Sequence, residues 1–353
     1  MNMKNSRWIR GLAISLGALV LVGVGAYFYL LGFDLDAQAE ANPETRVSDL
    51  AFVRDGLKEN RGRILAVVTS TPMIGTSDKK AGFELTELSR AYLVFKANGF
   101  EVDIASPLGG EPPMRRDDGL IEADYAFLND AQAMHKVNNS LPLAAIEAAD
   151  YAAVYFVGGK GTMFDFPDNR DIQRIVKQVY ETGGVIGAVC HGPAALLNVR
   201  LGDGRLLIDG RRLTGFSNAE ELFLIEDARK LFPFLLEDRL QEHGASYREG
   251  PLYLDNTVVD GRLVSGQNPW STWSVAEAMI RTLGHEPVAR ETTAEEHSVA
   301  LLQTYYARGK DAALRERERS TGFDRHFLLM HAVVAGMQWR IADAFHLQRL
   351  ARP

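Results

Sequence analysis

One cysteine occurs in the 353-residue sequence. Cys190 stands between the apolar run Val185-Ile186-Gly187-Ala188-Val189 and the segment His191-Gly192-Pro193-Ala194-Ala195-Leu196-Leu197. The run has the composition of a buried strand. The segment reads as a helix with proline in its first turn, where a missing N–H is harmless. A side chain on the sharp turn between them sits at the apex, with backbone N–H groups aimed at whatever it attacks. That is the geometry of an activated nucleophile, and a thiol suits the role. The plain alternative is a small buried hydrophobe. A free thiol ionises near pH ~8.5, so a nucleophilic role requires its proton to be drawn off. The N-terminus of the following helix and the adjacent His191 are the two candidates for doing so.

Two further groups of residues have chemistry to offer. Glu84 and Glu87 lie one helical turn apart, where two carboxylates repel, and burial disfavours their ionisation further. One of them then holds a proton near neutral pH and can act first as general acid and then as base. A solvated helix face is the alternative. Gly158-Gly159 closes the apolar run Tyr151–Val157. Its backbone N–H groups can approach an oxyanion, with the amide of Gly192 or His191 as second donor, or the pair only makes a tight turn.

The elements around these residues follow from periodicity. Short apolar runs predict strands over 63–70, 100–106 and 151–157, followed by the run that leads into Cys190. Helical spacing covers 83–97, closed by Asn98-Gly99, and 172–182. Strands that are continuously apolar and alternate with helices imply a parallel sheet covered on both faces. Sites in such sheets lie beyond the carboxyl ends of the strands, where Cys190, Gly158-Gly159 and the loop before Glu84 all fall. Beyond residue 200, a helix is expected over 219–231, a hairpin over 256–265 with Asp260-Gly261 as its turn, and a helix over 271–283. Residues 286–353 change character and predict two amphipathic helices, about 293–318 and 323–349. Phe327, Leu328, Val334, Met337, Ile341 and Phe345 form a packing stripe there, for the core or for a partner. His326, His331 and His346 lack metal-ligand spacing.

Net charge is -7 and the pI about 5.7. No basic face for nucleic acid is suggested, and one cysteine excludes an intrachain disulfide or a cysteine metal cluster. Residues 11–33 carry no charge, long enough to span a bilayer, with Lys4, Arg7 and Arg10 before and Asp34, Asp36 and Glu40 after. This predicts a cytoplasmic N-terminus (1–10), a transmembrane anchor (11–33), a linker (34–60) and an extracytoplasmic remainder. The rival is a signal peptide cleaved at Ala37-Gln38-Ala39, giving a secreted or periplasmic protein.

Six blocks in order carry a family resemblance: GFELTEL from Gly82, ASPLGG from Ala105, GGKGTMFD from Gly158, AVCHGPA around Cys190, TGFSNAEE from Thr214 and GQNP from Gly266. Over about residues 61–285 the chain resembles the ThiJ/PfpI family of the class I glutamine amidotransferase-like superfamily. Its branch of glutathione-independent glyoxalases (glyoxalase III) and stress-inducible chaperones is the most similar. The resemblance implies a flavodoxin-like α/β sandwich, flanked here by the transmembrane helix and a C-terminal helical extension (286–353). It implies Cys190 as nucleophile, His191 and Glu221 as its triad partners, Glu87 as the acidic residue beside the thiol, and a possible homodimer. Glu220 adjoins Glu221, and the spacing after Thr214-Gly215-Phe216 selects the latter. Lys160 departs from the branch, which carries histidine there; lysine keeps a cation but loses proton shuttling near neutral pH.

The expected reaction converts a small 2-oxoaldehyde such as methylglyoxal into a 2-hydroxy acid, lactate, without metal, glutathione or nucleotide cofactor. A cysteine amidase or peptidase, and a membrane-tethered chaperone or scaffold, are the alternatives.

Overall fold

The computed structural model describes residues 40–319 and 322–352. The described residues divide into two compact units, one of residues 41–291 and one that holds residues 292–319 and 322–352.

In the larger unit the strands are β1 (Arg63–Val67), β2 (Phe83–Glu84), β3 (Glu101–Ser106), β4 (Met114–Arg115), β5 (Leu141–Pro142), β6 (Ala153–Phe156), β7 (Val185–Val189), β8 (Arg212–Leu213), β9 (Ser246–Tyr247), β10 (Thr257–Asp260) and β11 (Leu263–Gly266). Its helices are α1 (Ala51–Arg54), α2 (Leu85–Ala97), α3 (Glu122–Leu128), α4 (Ala131–Asn138), α5 (Thr162–Asp165), α6 (Arg170–Glu181), α7 (Asn218–Leu224), α8 (Ala228–Leu231), α9 (Leu236–Glu242) and α10 (Thr272–Thr282). Seven strands form one sheet in the order β10-β11-β7-β6-β1-β3-β5. All pairings in it are parallel except the β10–β11 hairpin, whose Asp260-Gly261 turn is where the sequence puts it. The central strands are buried along their length because helices cover both faces, which explains their unbroken apolar composition.

Helix α2 carries Glu87 and anchors one side of the sheet. All of it but Lys96 is buried. Phe95 meets Tyr155 of β6 edge to face at 5.6 Å. Each fully buried leucine or phenylalanine here contributes roughly 1.5–3 kcal/mol. The buried Arg90–Asp124 pair, 3.2 Å apart, ties α2 to α3, and Arg90 also donates to the Gly119 carbonyl. Removing one partner of such a pair costs about 3–5 kcal/mol. The pair therefore fixes the loop that carries Asp117 and Asp118.

The smaller unit contains α11 (Ala294–Arg308), α12 (Lys310–Arg319), α13 (Arg325–Met337) and α14 (Ile341–Ala351). The two long helices expected here are each broken: one at Gly309, φ +82°, the other at Gln338-Trp339-Arg340.

Other expectations are corrected as well. The segment after Cys190 is a 3₁₀ stretch, Gly192–Leu196, and not an α-helix. A Cβ on Gly192 would lie 2.4 Å from the Phe156 carbonyl oxygen, so the backbone is pressed against β6 and turns tightly. The helix expected over 219–231 splits into α7 and α8, because Ile225 goes extended and buries its side chain. The uncharged run 11–33 and the cleavage-like Ala37-Gln38-Ala39 lie outside the described residues. Among the described residues no helix is long and apolar enough to cross a membrane. The transmembrane helix therefore drops out of the fold class, and the single-pass, extracytoplasmic localisation built on it is withdrawn. What stands is an α/β flavodoxin-like sheet with a C-terminal helical extension.

Candidate active site

Cys190 follows directly on β7 and adopts φ +58°, the left-handed region that β-carbon sterics disfavour. Two backbone hydrogen bonds hold it there. Its N–H donates to the Gly266 carbonyl at 2.9 Å, and its carbonyl accepts from the Phe216 N–H at 2.8 Å. The elbow is thus clamped between the ends of β11 and the loop before α7. Strain of this kind persists only when the surroundings over-determine it.

His191 presents Nδ1 to the Cys190 sulfur at 3.2 Å, and its Nε2 lies 2.6 Å from Glu221 Oε2. A carboxylate partner makes Nε2 the protonated nitrogen, so the Nδ1 lone pair faces the thiol. The ring is stacked on Phe216 at 4.6 Å, and Thr162 Oγ1 donates to the His191 carbonyl at 3.1 Å. Both ring and backbone are therefore fixed.

Glu221 reaches His191 because α7 is well capped. Ser217 and Glu220 form a capping box. Glu220 spends its carboxylate on the Ser217 N–H, the Tyr253 N–H at 2.7 Å and the Asn268 amide at 2.9 Å. The adjacent acids thus have different partners: Glu220 builds the helix start, and Glu221 meets the imidazole.

Glu87 projects from the first turn of α2 and is completely buried. Its Oε2 accepts the Gly158 N–H at 2.6 Å, while Oε1 has no hydrogen-bond partner. Gly158 is where the site closes. A Cβ there would lie 2.6 Å from Glu87 Oε2 and 2.7 Å from Cys190 Cβ. Only glycine lets the carboxyl and the thiol face each other across this strand end.

Electrostatics follow from burial. Burial first, and the Asp118 carboxylate second, raise the Glu87 carboxyl to about 8. Burial, Asp118 and Glu87 push Glu84 to about 9. Burial, then the negative charge of Glu87, pushes the Cys190 thiol well up, with the Gly159 amide hydrogen bond acting the other way. This corrects the expectation of a lowered thiol: no α-helix points its N-terminus at the sulfur, and the nearest acid is an anion when deprotonated. Near neutral pH the resting site holds a thiol and a carboxylic acid.

The structure brings Cys190, His191, Glu221, Glu87, Gly158 and Gly159 together. Gly158 is not free to bind an oxyanion, since its N–H serves Glu87. The Gly192 backbone is packed against β6. Glu84 ends β2 at the N-cap position of α2 without a side-chain bond to that helix, and its carboxylate accepts from the Asp117 N–H at 3.3 Å. Lys160 pairs with Asp117 at 3.6 Å on the partly exposed rim. Sequence reading missed Asp117, Asp118 and Phe216. The two aspartates sit between the strands expected over 100–106 and 151–157, in a stretch without helical or strand periodicity, and their adjacency to Arg115-Arg116 was the available signal. Among the described residues no group of histidine, cysteine and carboxylate side chains is placed to hold a metal ion.

Residues 79–282 match the DJ-1/PfpI family. Glyoxalase 3 of Candida albicans is 33% identical over 62% of this chain and 96% of its own length. The glutathione-independent glyoxalase HSP31 of Saccharomyces cerevisiae is 34% identical over 63% of this chain and 98% of its own. Among solved structures, glyoxalase III of Candida albicans aligns with TM-score 0.57 at 30% identity, covering 63% of this chain and 97% of that one. Rapid Encystment Protein 24 KDa of Francisella tularensis aligns with TM-score 0.59 at 36% identity, covering 63% and 99%. The expectation of a glyoxalase III-like enzyme agrees with these relatives. A thiol on a left-handed elbow, with an imidazole on one side and a carboxyl on the other, is thus set in a sheet and a sequence of known kind: the chain belongs to the DJ-1/PfpI family.

Proposed function

We propose that the chain is a glutathione-independent glyoxalase that converts small 2-oxoaldehydes of the methylglyoxal type into 2-hydroxy acids. The observation that carries this reading is the meeting of a buried, proton-holding Glu87 with Cys190 across Gly158, opposite the Nδ1 of His191. The reaction needs one nucleophile and two groups that exchange protons, and the site supplies that set.

Atoms and electrons balance at each step. Cys190 Sγ attacks the aldehyde carbon; its proton passes to His191 Nδ1, and Glu87 protonates the aldehyde oxygen, giving a hemithioacetal. Glu87, now a carboxylate, removes the hydrogen from that carbon while the imidazolium protonates the neighbouring carbonyl oxygen, giving an enediol. A carboxylate with a raised pKa is a stronger base than an ordinary glutamate, which favours this step. Glu87 then returns its proton to the second carbon, and His191 takes the first hydroxyl proton. The former aldehyde carbon is oxidised to a thioester and the former ketone carbon is reduced to an alcohol. Water attacks the thioester, giving its proton to Glu87, and the imidazolium protonates the departing sulfur. Thiol, carboxylic acid and neutral imidazole are restored, and lactate leaves. Glu221 holds the imidazole and stabilises its cation in the manner of a triad acid.

Enclosure favours a small substrate: Cys190 is 4% and His191 2% exposed. The test is an assay of lactate from methylglyoxal with no glutathione present. Turnover by the wild type that vanishes in Cys190→Ser supports the reading. Amide or peptide hydrolysis by the same thiol, with no lactate, would replace it.

A further inference from the structure

Lys160 stands where the sequence departs from the branch it resembles, and the reaction steps leave it without a task. Its place is fixed by main-chain contacts. The Gly161 N–H donates to the Gly82 carbonyl and the Glu84 N–H to the Gly158 carbonyl, both at 3.3 Å. A Cβ on Gly159 would lie 2.3 Å from the Gly82 oxygen, so the segment 158–161 is pressed against the start of β2. Strand β2 in turn pairs with β4, Glu84 opposite Arg115. Lys160, Glu84, Arg115 and Asp117 are thereby gathered at one rim, next to the Gly158 N–H that Glu87 holds.

The charges at this rim do not cancel. Asp117 Oδ1 accepts from Arg115 at 2.5 Å, which satisfies that carboxylate. Lys160 Nζ stands 3.6 Å from Asp117 Oδ2, beyond hydrogen-bond range. An ammonium has three N–H donors, and none of those on Lys160 is hydrogen-bonded to another described residue. The side chain is 25% exposed, so these donors are partly withdrawn from water. The Lys160 charge reaches the Glu87 and Asp118 carboxyls and draws both down. Of the acids around it, Glu84 and Glu87 keep their protons near neutral pH, at about 9 and about 8. Burial raises Asp118 as well, opposed by the Arg90 charge and by a hydrogen bond from Thr86 Oγ1 at 3.1 Å. A surplus cation with unused donors thus lies beside the acid that handles the substrate's protons.

We propose that Lys160 binds a carboxylate at the far end of the substrate, so that the site prefers anionic 2-oxoaldehydes to neutral ones of the same size. This rests on the glyoxalase reading and names its substrate class. In that reaction the aldehyde carbon is bonded to Cys190 Sγ and the ketone carbon lies between Glu87 and His191. Both reacting carbons are held at the buried end, and whatever the ketone carbon carries extends toward the rim. The methyl group of methylglyoxal leaves the ammonium unanswered, whereas a carboxylate on a short chain meets it in a charge-assisted pair. Histidine at this position is mostly neutral at pH 7 and offers no permanent cation. With 4,5-dioxopentanoate as substrate, one water is taken up, the aldehyde carbon is oxidised to a carboxylate and the ketone carbon is reduced to an alcohol. One proton is released, and the product is 2-hydroxypentanedioate.

The test compares 4,5-dioxopentanoate with its methyl ester, which has the same chain and no charge. For the wild type, kcat/KM should be roughly tenfold or more higher for the acid, the worth of one charge-assisted contact. The difference should lie in KM, as it does for binding remote from the reacting atoms. Lys160→Met should bring the ratio to about one, and Lys160→Arg, which keeps the cation, should retain most of it. A wild-type ratio near one, or a ratio that Lys160→Met leaves in place, would overturn the inference while the glyoxalase reading stands. A second measurement is independent of turnover. Titration calorimetry of 2-hydroxypentanedioate on Cys190→Ser should show roughly tenfold weaker binding when Lys160→Met is added. That loss without turnover of any 2-oxoaldehyde would keep the carboxylate subsite and remove the glyoxalase reading. Equal binding by the two proteins would overturn the subsite.

Discussion

Cys190 and Trp339 share a backbone anomaly, since both are non-glycine residues at φ near +60°. Everything else about them differs. Cys190 is buried, clamped by two main-chain hydrogen bonds to separate segments, and faces an imidazole and a carboxyl. Trp339 is the most exposed large hydrophobic side chain among the described residues, held only by the ending of its own helix. The same strain thus serves opposite ends. At the elbow it aims a side chain inward at chemistry; at the tip of the α13–α14 hairpin it holds a side chain outward. The contrast teaches that a strained residue is understood from what its side chain meets. Each end can be broken without touching the other.

The largest effect is expected at the elbow. Cys190→Ser should lower lactate formation by about 10³-fold or more, measured by steady-state turnover. Glu87→Gln keeps the shape but removes the proton carrier. Turnover should fall by roughly 10²–10⁴-fold, the range of general acid–base catalysis. The same substitution should raise thermal stability. The ordinary glutamate value is 4.5, and Glu87 and Glu84 are raised to about 8 and about 9 in the fold. The folded chain keeps protons that the unfolded chain releases. Stability from this source is full below the unfolded value and is lost as pH rises through the folded values. The melting-temperature gain of Glu87→Gln over wild type should therefore grow between pH 5 and pH 9, a trend that differential scanning calorimetry reads directly.

Gly158→Ala sharpens the comparison from the other side. Its Cβ would press on both Glu87 Oε2 and Cys190 Cβ, at an overpacking cost of about 1–3 kcal/mol, so both the midpoint of urea unfolding and kcat/KM should drop. The smallest effect belongs to the tip. Trp339→Gly relieves left-handed strain of about 1 kcal/mol and should leave turnover within about twofold of wild type, as expected for a surface change remote from the chemistry. Chemical denaturation and the lactate assay check the two halves of that statement.

Much of this was legible in the sequence, for physical reasons that can be named. A lone cysteine between an apolar run and Gly-Pro reads as an elbow because strand and turn each have a local signature. The parallel sheet follows from continuously apolar strands alternating with helices. Glu221 rather than Glu220 came from motif spacing; the capping box then explains why Glu220 is occupied elsewhere. What stayed illegible was set by tertiary contact. Leu196 and Leu197 look helical, yet Gly192 is pressed on β6 and the segment tightens to 3₁₀. The direction of the thiol's shift depends on which acid is buried beside it, and Asp118 joins that cluster from a loop with no periodicity. The tail stripe showed in the helical spacing, but its split into buried Phe327, Leu328 and Val334 and exposed Met337, Ile341 and Phe345 depends on how the hairpin folds back.

The central claim is that a neutral thiol and a protonated Glu87 start the reaction. The pH dependence of kcat/KM for methylglyoxal, followed as lactate without glutathione, tests it most directly. With the Glu87 carboxyl at about 8 as the required acid, kcat/KM should fall as pH rises through that value. A profile that instead climbs through pH 8 and levels off above it would mean that a free thiolate is the attacking species, and would contradict the account.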